Sequence, residues 1–389
     1  MLAIALGVTH FSVPLIYYTY LRRQVDRPWH IKFDASYEPI LTVVIPTYNE
    51  AALIENRLEN IKNQSYPKEK MEVVVVDSAS TDETVNIVRK WSSRNPDINV
   101  KVLEEPVRKG KSYALNMALK SITSGIIILT DADSLWARNA LKEAIKYFSD
   151  ELVGAVTAVK EPKVTNQNRS QAIESTYRSF YNIVRVAESK IHSTPIFHGE
   201  LAAFKKNVIE EIGGFPTNVG ADDSHMATLI ALKGYRAIAA LEVVTYELVP
   251  SSWRGYAKWK RRRAKHLVQH FSLLLRRLTN APREFRKVLR VESFLHILNP
   301  WLLLMAFIVF LVSLTTEGLS LLKMVVVFVV LTTLLIRQAR RILLMWILDQ
   351  CILVYSSIAG IRSRELIWRK IDELRMKTTM HTNFQMNSF

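Results

Sequence analysis

Apolar positions along the chain follow two rhythms. Through the centre they come as short bursts divided by polar turns, and at both ends they come as long unbroken runs. Residues 41–45 (LTVVI) form an all-apolar run closed by Pro46, the pattern of a strand buried on both faces. A helical stretch follows to residue 63, with Leu53, Ile54, Leu58 and Ile61 at helical spacing. Residues 73–76 give a second buried strand, closed by Asp77. Ser80 and Glu83 stand three apart and predict a capping box for a helix running to about Trp91. Further strands are expected at 99–103 and 126–130, with a helix at 112–122 between them. Strands alternating with helices predict an α/β unit built on a parallel sheet with helices on its faces.

In such a sheet, ligands gather beyond the carboxyl ends of the strands. Three polar loops fall there: Pro46-Thr47-Tyr48-Asn49-Glu50, Asp77-Ser78-Ala79-Ser80-Thr81-Asp82 and Asp131-Ala132-Asp133. Their convergence on one edge predicts a site. Asp131 and Asp133 suit a hard divalent cation, which prefers carboxylate oxygens together with phosphate and water; the alternative is a helix N-cap before residues 136–148. Lys109, Gly110 and Lys111 precede a helix, where backbone N–H groups and a lysine suit a phosphate.

The long apolar runs lie at 2–21, 294–315, 319–336 and 342–361, each near the ~20 residues that a membrane span needs. The last carries Asp349 and Gln350 in its middle, which must face protein or water. The net charge of +16 is concentrated: residues 254–290 hold thirteen Lys or Arg against one acid, Glu284. Trp253, Tyr256, Trp259, Leu267, Phe271 and Leu274 interleave with these cations, which predicts a helix lying on an anionic leaflet. A span follows at once, and this argues against nucleic acid as the partner. The single cysteine, Cys351, excludes a disulfide within the chain. Arg22, Arg23 and Arg27 after the first run, and the basic stretch before the second, put the central region in the cytoplasm. Four full spans would leave the basic tail outside, against that rule, so one of the runs is not a complete crossing.

Six motifs in order, VVIPTYNE (43–50), VVVVDSASTDET (73–84), RKGKSYALNMAL (108–119), LTDADS (129–134), GGFPTNVGADDS (213–224) and KGYRA (233–237), resemble family 2 glycosyltransferases with the GT-A (Rossmann-like) fold. The apolar ends resemble the integral-membrane branch, which includes polysaccharide synthases and enzymes that glycosylate lipid carriers. The resemblance implies an anchor at 1–22, a cytoplasmic catalytic domain at 38–250, a basic amphipathic interfacial segment at 251–292, membrane segments at 293–362 and a basic tail at 363–389.

It also implies residue roles. Asp133 would hold Mn²⁺ or Mg²⁺ on the donor diphosphate, while Asp131 would contact ribose or sugar. Asp77 would meet the nucleobase, with Pro46, Thr47, Tyr48 and Glu50 lining the nucleoside pocket; Asp82 ranks below Asp77. Lys111 and Arg262 would meet the diphosphate. Asp222 and Asp223 match an acidic pair whose second member is the general base. Glu200 and His225 are acceptor-side candidates, although His225 stands where polymer synthases place another acid. In W-K-R-R-R-A-K-H (259–266), Trp259 and Arg263 replace the Gln and Trp of the Gln-x-x-Arg-Trp motif, and Arg262 keeps its Arg. The implied activity is inverting transfer from a nucleotide sugar to a lipid-linked or glycan acceptor. A uridine diphosphate donor is favoured and guanosine diphosphate mannose stays open. The alternatives are a processive polysaccharide synthase and a catalytically silent membrane scaffold.

Overall fold

The computed structural model describes residues 1–163, 169–250 and 252–362; the basic tail expected at 363–389 lies outside them. The chain opens with α1 (Leu2–Val25) and then alternates through β1 (Leu41–Thr47), α2 (Ile54–Lys62), β2 (Met71–Ser78), α3 (Thr84–Arg94), β3 (Asn99–Glu105), α4 (Lys111–Ser121) and β4 (Ile126–Leu129). A second half brings β5 (Leu135–Trp136), α5 (Ala140–Ile145), β6 (Val153–Lys163), α6 (Arg169–Ile191), β7 (Ala202–Lys205), α7 (Lys206–Ile212), α8 (Asp222–Leu232) and β8 (Arg236–Leu248). Helices close the described chain: α9 (Trp253–Leu274), α10 (Arg283–Ser293), α11 (Asn299–Glu317), α12 (Leu321–Leu335) and α13 (Arg337–Arg362).

The strands form one sheet in the order β3-β2-β1-β4-β7-β6-β8-β5. The first four are parallel, with Val43 beside both Val73 and Ile128. The expectation of a wholly parallel sheet fails beyond β4. β7 runs antiparallel to β4 and β6, and β5 antiparallel to β8, so the sheet is mixed. The four-residue β4 and β7 are too short and uniform to betray direction in sequence; their register comes from packing.

Successive strand residues point to opposite faces. Val43, Ile45, Val73, Val75 and Ile128 pack on Ile54, Leu58, Ile61 and Trp91. Val44, Val74, Ile127 and Leu129 pack on Leu115, Ala118 and Phe204 on the other side. That second core also takes in Phe271 and Leu274 of α9 and Phe285, Val288 and Leu289 of α10. The basic segment is therefore docked on the domain. Its Arg254, Lys258, Arg276, Arg277, Arg283 and Lys287 stay exposed, whereas Lys260 is buried. The capping box expected at Ser80 and Glu83 does not form. The Ser80 hydroxyl is drawn to Asp77 instead, and Asp82 accepts the Thr84 N–H at 3.1 Å at the start of α3.

Three helical stretches are long and apolar enough to cross a membrane: Leu2–Val25, Arg283–Glu317 and Arg337–Ala359. The third expected span shrinks to α12, whose 15 residues reach only ~22 Å against a ~30 Å hydrocarbon core. His10 ties the long stretches together, since its Nδ1 lies 2.9 Å from the Asn299 carbonyl and its Nε2 accepts from Trp346 Nε1 at 2.7 Å. Asp349 meets Lys260 of α9 at 3.4 Å, so the polar centre of α13 faces protein.

Truncating the fully buried Phe271 would undock α9 and cost about 3–5 kcal/mol. Phe271→Ala is expected to lower the thermal unfolding midpoint in detergent sharply, and Leu273→Ala, exposed on the same helix, to leave it nearly unchanged.

Candidate active site

The loops after β1 and β2 are laced by their own polar groups. Asn49 adopts a left-handed conformation (φ 52°), and its N–H donates to Ser80 Oγ at 2.7 Å. Its side-chain oxygen accepts the Thr81 N–H at 2.7 Å. Glu50 N–H donates to Thr84 Oγ1 at 2.7 Å and Ala51 N–H to Asp82 at 3.1 Å. Asp77 accepts from Thr47 Oγ1 at 3.1 Å and from the Ser80 N–H at 2.8 Å. Asp77 and Asp82 thus hold the cradle together, as ordinary turn acids do. Above it the Arg108 guanidinium stacks on Tyr48 at 3.8 Å.

After β4 the chain turns without forming the N-cap considered for Asp133; α5 starts at Ala140, with Asn139 before it. Lys111, at the first turn of α4, reaches Asp131 at 2.8 Å and Asp222 at 3.7 Å. Burial works against the lysine's charge, but Asp131, Asp222 and Asp223 outweigh it and raise its pKa. A Cβ added to Gly199 would stand 3.0 Å from Lys111 Nζ, 3.1 Å from Asp131 and 3.4 Å from Asp223. These four residues therefore meet at one point.

Two carboxyls there stand well above the ordinary carboxylate range. Burial, then Asp222, pushes Asp223 up to about 7 against the pull of Lys111. Burial, then Asp131, Glu50, Glu200 and Glu247, pushes Asp133 up to about 7. Beneath them Arg57 is 1% exposed, stacks on Trp136 at 4.0 Å and donates to Ser134 O at 3.2 Å. Desolvation lowers Arg57 to about 9, partly offset by Asp131 and Asp133. Asp133 is exposed to the cavity, and a surplus of carboxylate at such a point is what a divalent cation neutralises. Among the described residues no three His, Cys, Asp or Glu side chains group as a metal cage. Asp133 with Asp131 fits a cation that takes its remaining oxygens from phosphate and water.

A second network continues from this point. Lys160 pairs with Glu200 and lies 3.3 Å from Glu247. Arg263 pairs with Glu247, reaches Glu200 at 3.4 Å and stacks on Trp259 at 3.8 Å. Arg178 joins Glu247 at 2.8 Å to Glu174 at 2.7 Å, and Glu174 meets Lys260 at 3.2 Å.

The family model of Glycosyl transferase family 2 matches residues 42–213. A solved mannosyltransferase, PcManGT from Pyrobaculum calidifontis, in complex with GDP-Man and Mn²⁺, is 45% identical, with 94% of this chain and 99% of that chain covered and a TM-score of 0.82. This chain belongs to glycosyl transferase family 2. Among curated relatives, the poly-β-1,6-N-acetyl-D-glucosamine synthase of Staphylococcus aureus is 27% identical over 252 residues, 63% of this chain and 58% of that protein. The probable glycosyltransferase YdaM of Bacillus subtilis is 28% identical over 261 residues, 62% and 60% of the two chains. The match thus spans about three fifths of the length of these curated relatives.

In this family 2 glycosyltransferase one cavity of about 350 Å³ brings together Pro46, Thr47, Tyr48, Glu50, Lys111, Asp131, Asp133, Glu200, Asp223 and Arg262. Three expected residues lie off its wall. Asp77 is buried behind the cradle, and Asp222 supports Lys111 from below. His225 is turned away, with its Nδ1 3.2 Å from that of His270. Sequence reasoning missed Arg57, Lys160, Arg178 and Glu247. They lie inside helices or strands, and only the folded sheet makes them neighbours.

Gly199→Ala tests how tightly the convergence is set. Lys111 Nζ is the end of a flexible chain and can move aside, so stability should stay near wild type. Transfer should fall about 10²-fold as Lys111 leaves Asp131. Parallel thermal unfolding and initial-rate assays would separate the two effects.

Proposed function

We propose that this chain is a membrane-anchored inverting glycosyltransferase that moves one hexose from a nucleotide sugar to a lipid-linked acceptor on the cytoplasmic face. The observation that carries this reading is the extent of the cavity: it holds Asp133 and Asp223 and continues to Tyr17 and Tyr18 of α1 and to Trp346 and Leu353 of α13. Guanosine diphosphate mannose becomes the first donor to try, ahead of the uridine diphosphate sugars. The support is PcManGT, which is alike over nearly the whole chain and was solved with GDP-Man.

In this reading Tyr48 and Arg108 flank the nucleoside, and Arg262 and Lys111 face the diphosphate. Asp133, with Asp131 beside it, would hold Mn²⁺ or Mg²⁺, which when bound neutralises charge on the diphosphate. Asp223 takes the proton of the acceptor hydroxyl as its oxygen attacks the anomeric carbon. The bond from that carbon to the diphosphate oxygen breaks, and the nucleoside diphosphate leaves with the bonding electrons. Attack from the face opposite the leaving group inverts the anomeric centre. Glu200, fixed by Lys160 and Arg263, forms the acceptor-side wall; His225 has no part. Arg263 stands where processive synthases carry a Trp, and its commitment to Glu247 favours a single addition over polymerisation.

Topology supports the same arrangement. With α12 short of a crossing, α1, the α10–α11 stretch and α13 make three spans. The far half of α13 lies along α9, with Ser356 3.4 Å from the Arg261 carbonyl, so α13 runs toward the domain, which supports an odd number of spans with the two ends of the third on opposite sides. Arg337, Arg340 and Arg341 then fall at the opposite end. That cluster and the basic tail disagree, and the packing on α9 favours the tail.

Nucleoside diphosphate release, screened over donors in detergent with a lipid acceptor, should occur with guanosine diphosphate mannose and vanish with EDTA. Asp133→Ala and Asp223→Asn should each lower it at least 10²-fold, and Asp223→Asn should keep donor binding. Unchanged release in both variants, or no donor bound by calorimetry, would overturn the reading. Because Asp223 must be deprotonated to act and sits near 7, kcat/KM should climb with pH through about 7 and then level.

A further inference from the structure

The cations along the cavity are mostly held by acids: Lys160 by Glu200, Arg178 and Arg263 by Glu247, Lys260 by Glu174. Arg185 is different. It is 4% exposed, and its Nε and Nη1 are buried with no hydrogen-bond partner. Among the described residues no ion pair engages it, and its ring contact is with Tyr181 at 5.7 Å. The acids whose fields reach it, Glu188 and Glu292, form no ion pair with it among the described residues. Glu188 accepts from Tyr17 Oη at 2.7 Å and Thr194 Oγ1 at 2.8 Å, and Glu292 lies 3.2 Å from His296. A guanidinium does not shed its proton, and an ionised group out of water is unfavourable until something pairs with it.

Its position says what that partner is. Arg185 lines the cavity on α6, beside Phe180 and Val184 of the same helix and Tyr17 and Tyr18 of α1. Its charge is felt by His198, the neighbour of Gly199, around which Lys111, Asp131 and Asp223 gather. Arg185 therefore stands between the reacting centre and the apolar helices. A planar fork of N–H donors recognises phosphate, and the aromatic and aliphatic wall suits hydrocarbon.

We propose that Arg185 is an anion site for a phosphate group carried by the lipid acceptor, distinct from the diphosphate site at Arg262 and Lys111. The ligand assigned to it rests on the lipid-acceptor reading above.

The test uses the full chain in dodecyl maltoside, which carries no phosphate, and titrates farnesyl phosphate, farnesol and inorganic phosphate by calorimetry. Wild type should bind farnesyl phosphate at least 30-fold more tightly than farnesol. Arg185→Met should shrink that preference to threefold or less, with farnesol and donor binding unchanged, and Arg185→Lys should keep part of it. Arg185→Gln replaces the Met variant if its thermal midpoint falls. The proposal is overturned if wild type shows no preference, or if the variant keeps it. It is likewise overturned if inorganic phosphate binds as tightly as the ester, or if the variant loses donor affinity. Sugar transfer in the same samples separates the two claims. A phosphate preference that Arg185→Met removes, with no sugar transferred to the farnesol hydroxyl, keeps the anion site and rejects the lipid acceptor. Equal transfer to farnesol by wild type and variant, with no phosphate preference in either, does the reverse.

Discussion

Lys111 sits where Asp131, Asp222 and Asp223 converge, and the arrangement of the site follows from that one shortage of positive charge. One ammonium cannot satisfy the buried Asp222, the half-buried Asp131 and Asp223 and also the nearby Asp133. Charges this close in a poorly solvated pocket repel strongly, so the surplus must be carried as bound protons or by an incoming cation. Desolvation first, and this crowding of like charge second, raise Asp133 and Asp223. The same shortage prepares the site for a ligand that brings a metal, and leaves Asp223 near the pH at which a carboxyl can exchange a proton.

The fold imposes this crowding through strand ends. β1 and β4 lie side by side and deliver the loops at Pro46 and Asp131 to one edge. β7 pairs with β4 in the opposite sense, so the chain entering it places Gly199 and Glu200 against those same loops. The antiparallel strand, which the sequence pattern did not reveal, is what brings Glu200 onto the edge that carries Asp131 and Asp133. A wholly parallel sheet would have left Glu200 dependent on a longer loop.

Legibility in the sequence tracked the range of the interaction. β1, β2, β4 and the helices α2 to α4 could be read because buried strands and amphipathic helices imprint their period on contiguous residues. Asp131, Asp133 and Asp223 could be read because loop acids in motif context stand out. His225 could not: it lies two residues after Asp223, yet those two helical steps turn it into the core toward His270. Neither could Lys160, Arg178 or Glu247, whose contacts with one another and with Glu200 span 40 to 87 residues of chain. The direction of β7 was hidden for the same reason, as was the shortness of α12.

The helix α9 shows why the membrane part and the catalytic part cannot be considered apart. Its sequence reads as a basic interfacial helix, and its outer face fits that description. Its inner face does three other things. Phe271 anchors it in the core of the sheet, Arg262 and Arg263 enter the cavity, and Lys260 reaches Asp349 in α13. An acid in the middle of an apolar helix is costly unless paired, so Lys260 and Asp349 fix α13 against the helix that carries the cavity arginines. The cavity wall is therefore shared between the catalytic domain and helices long and apolar enough to cross a membrane. The contact that pairs the acid of α13 also fixes that helix at the cavity wall.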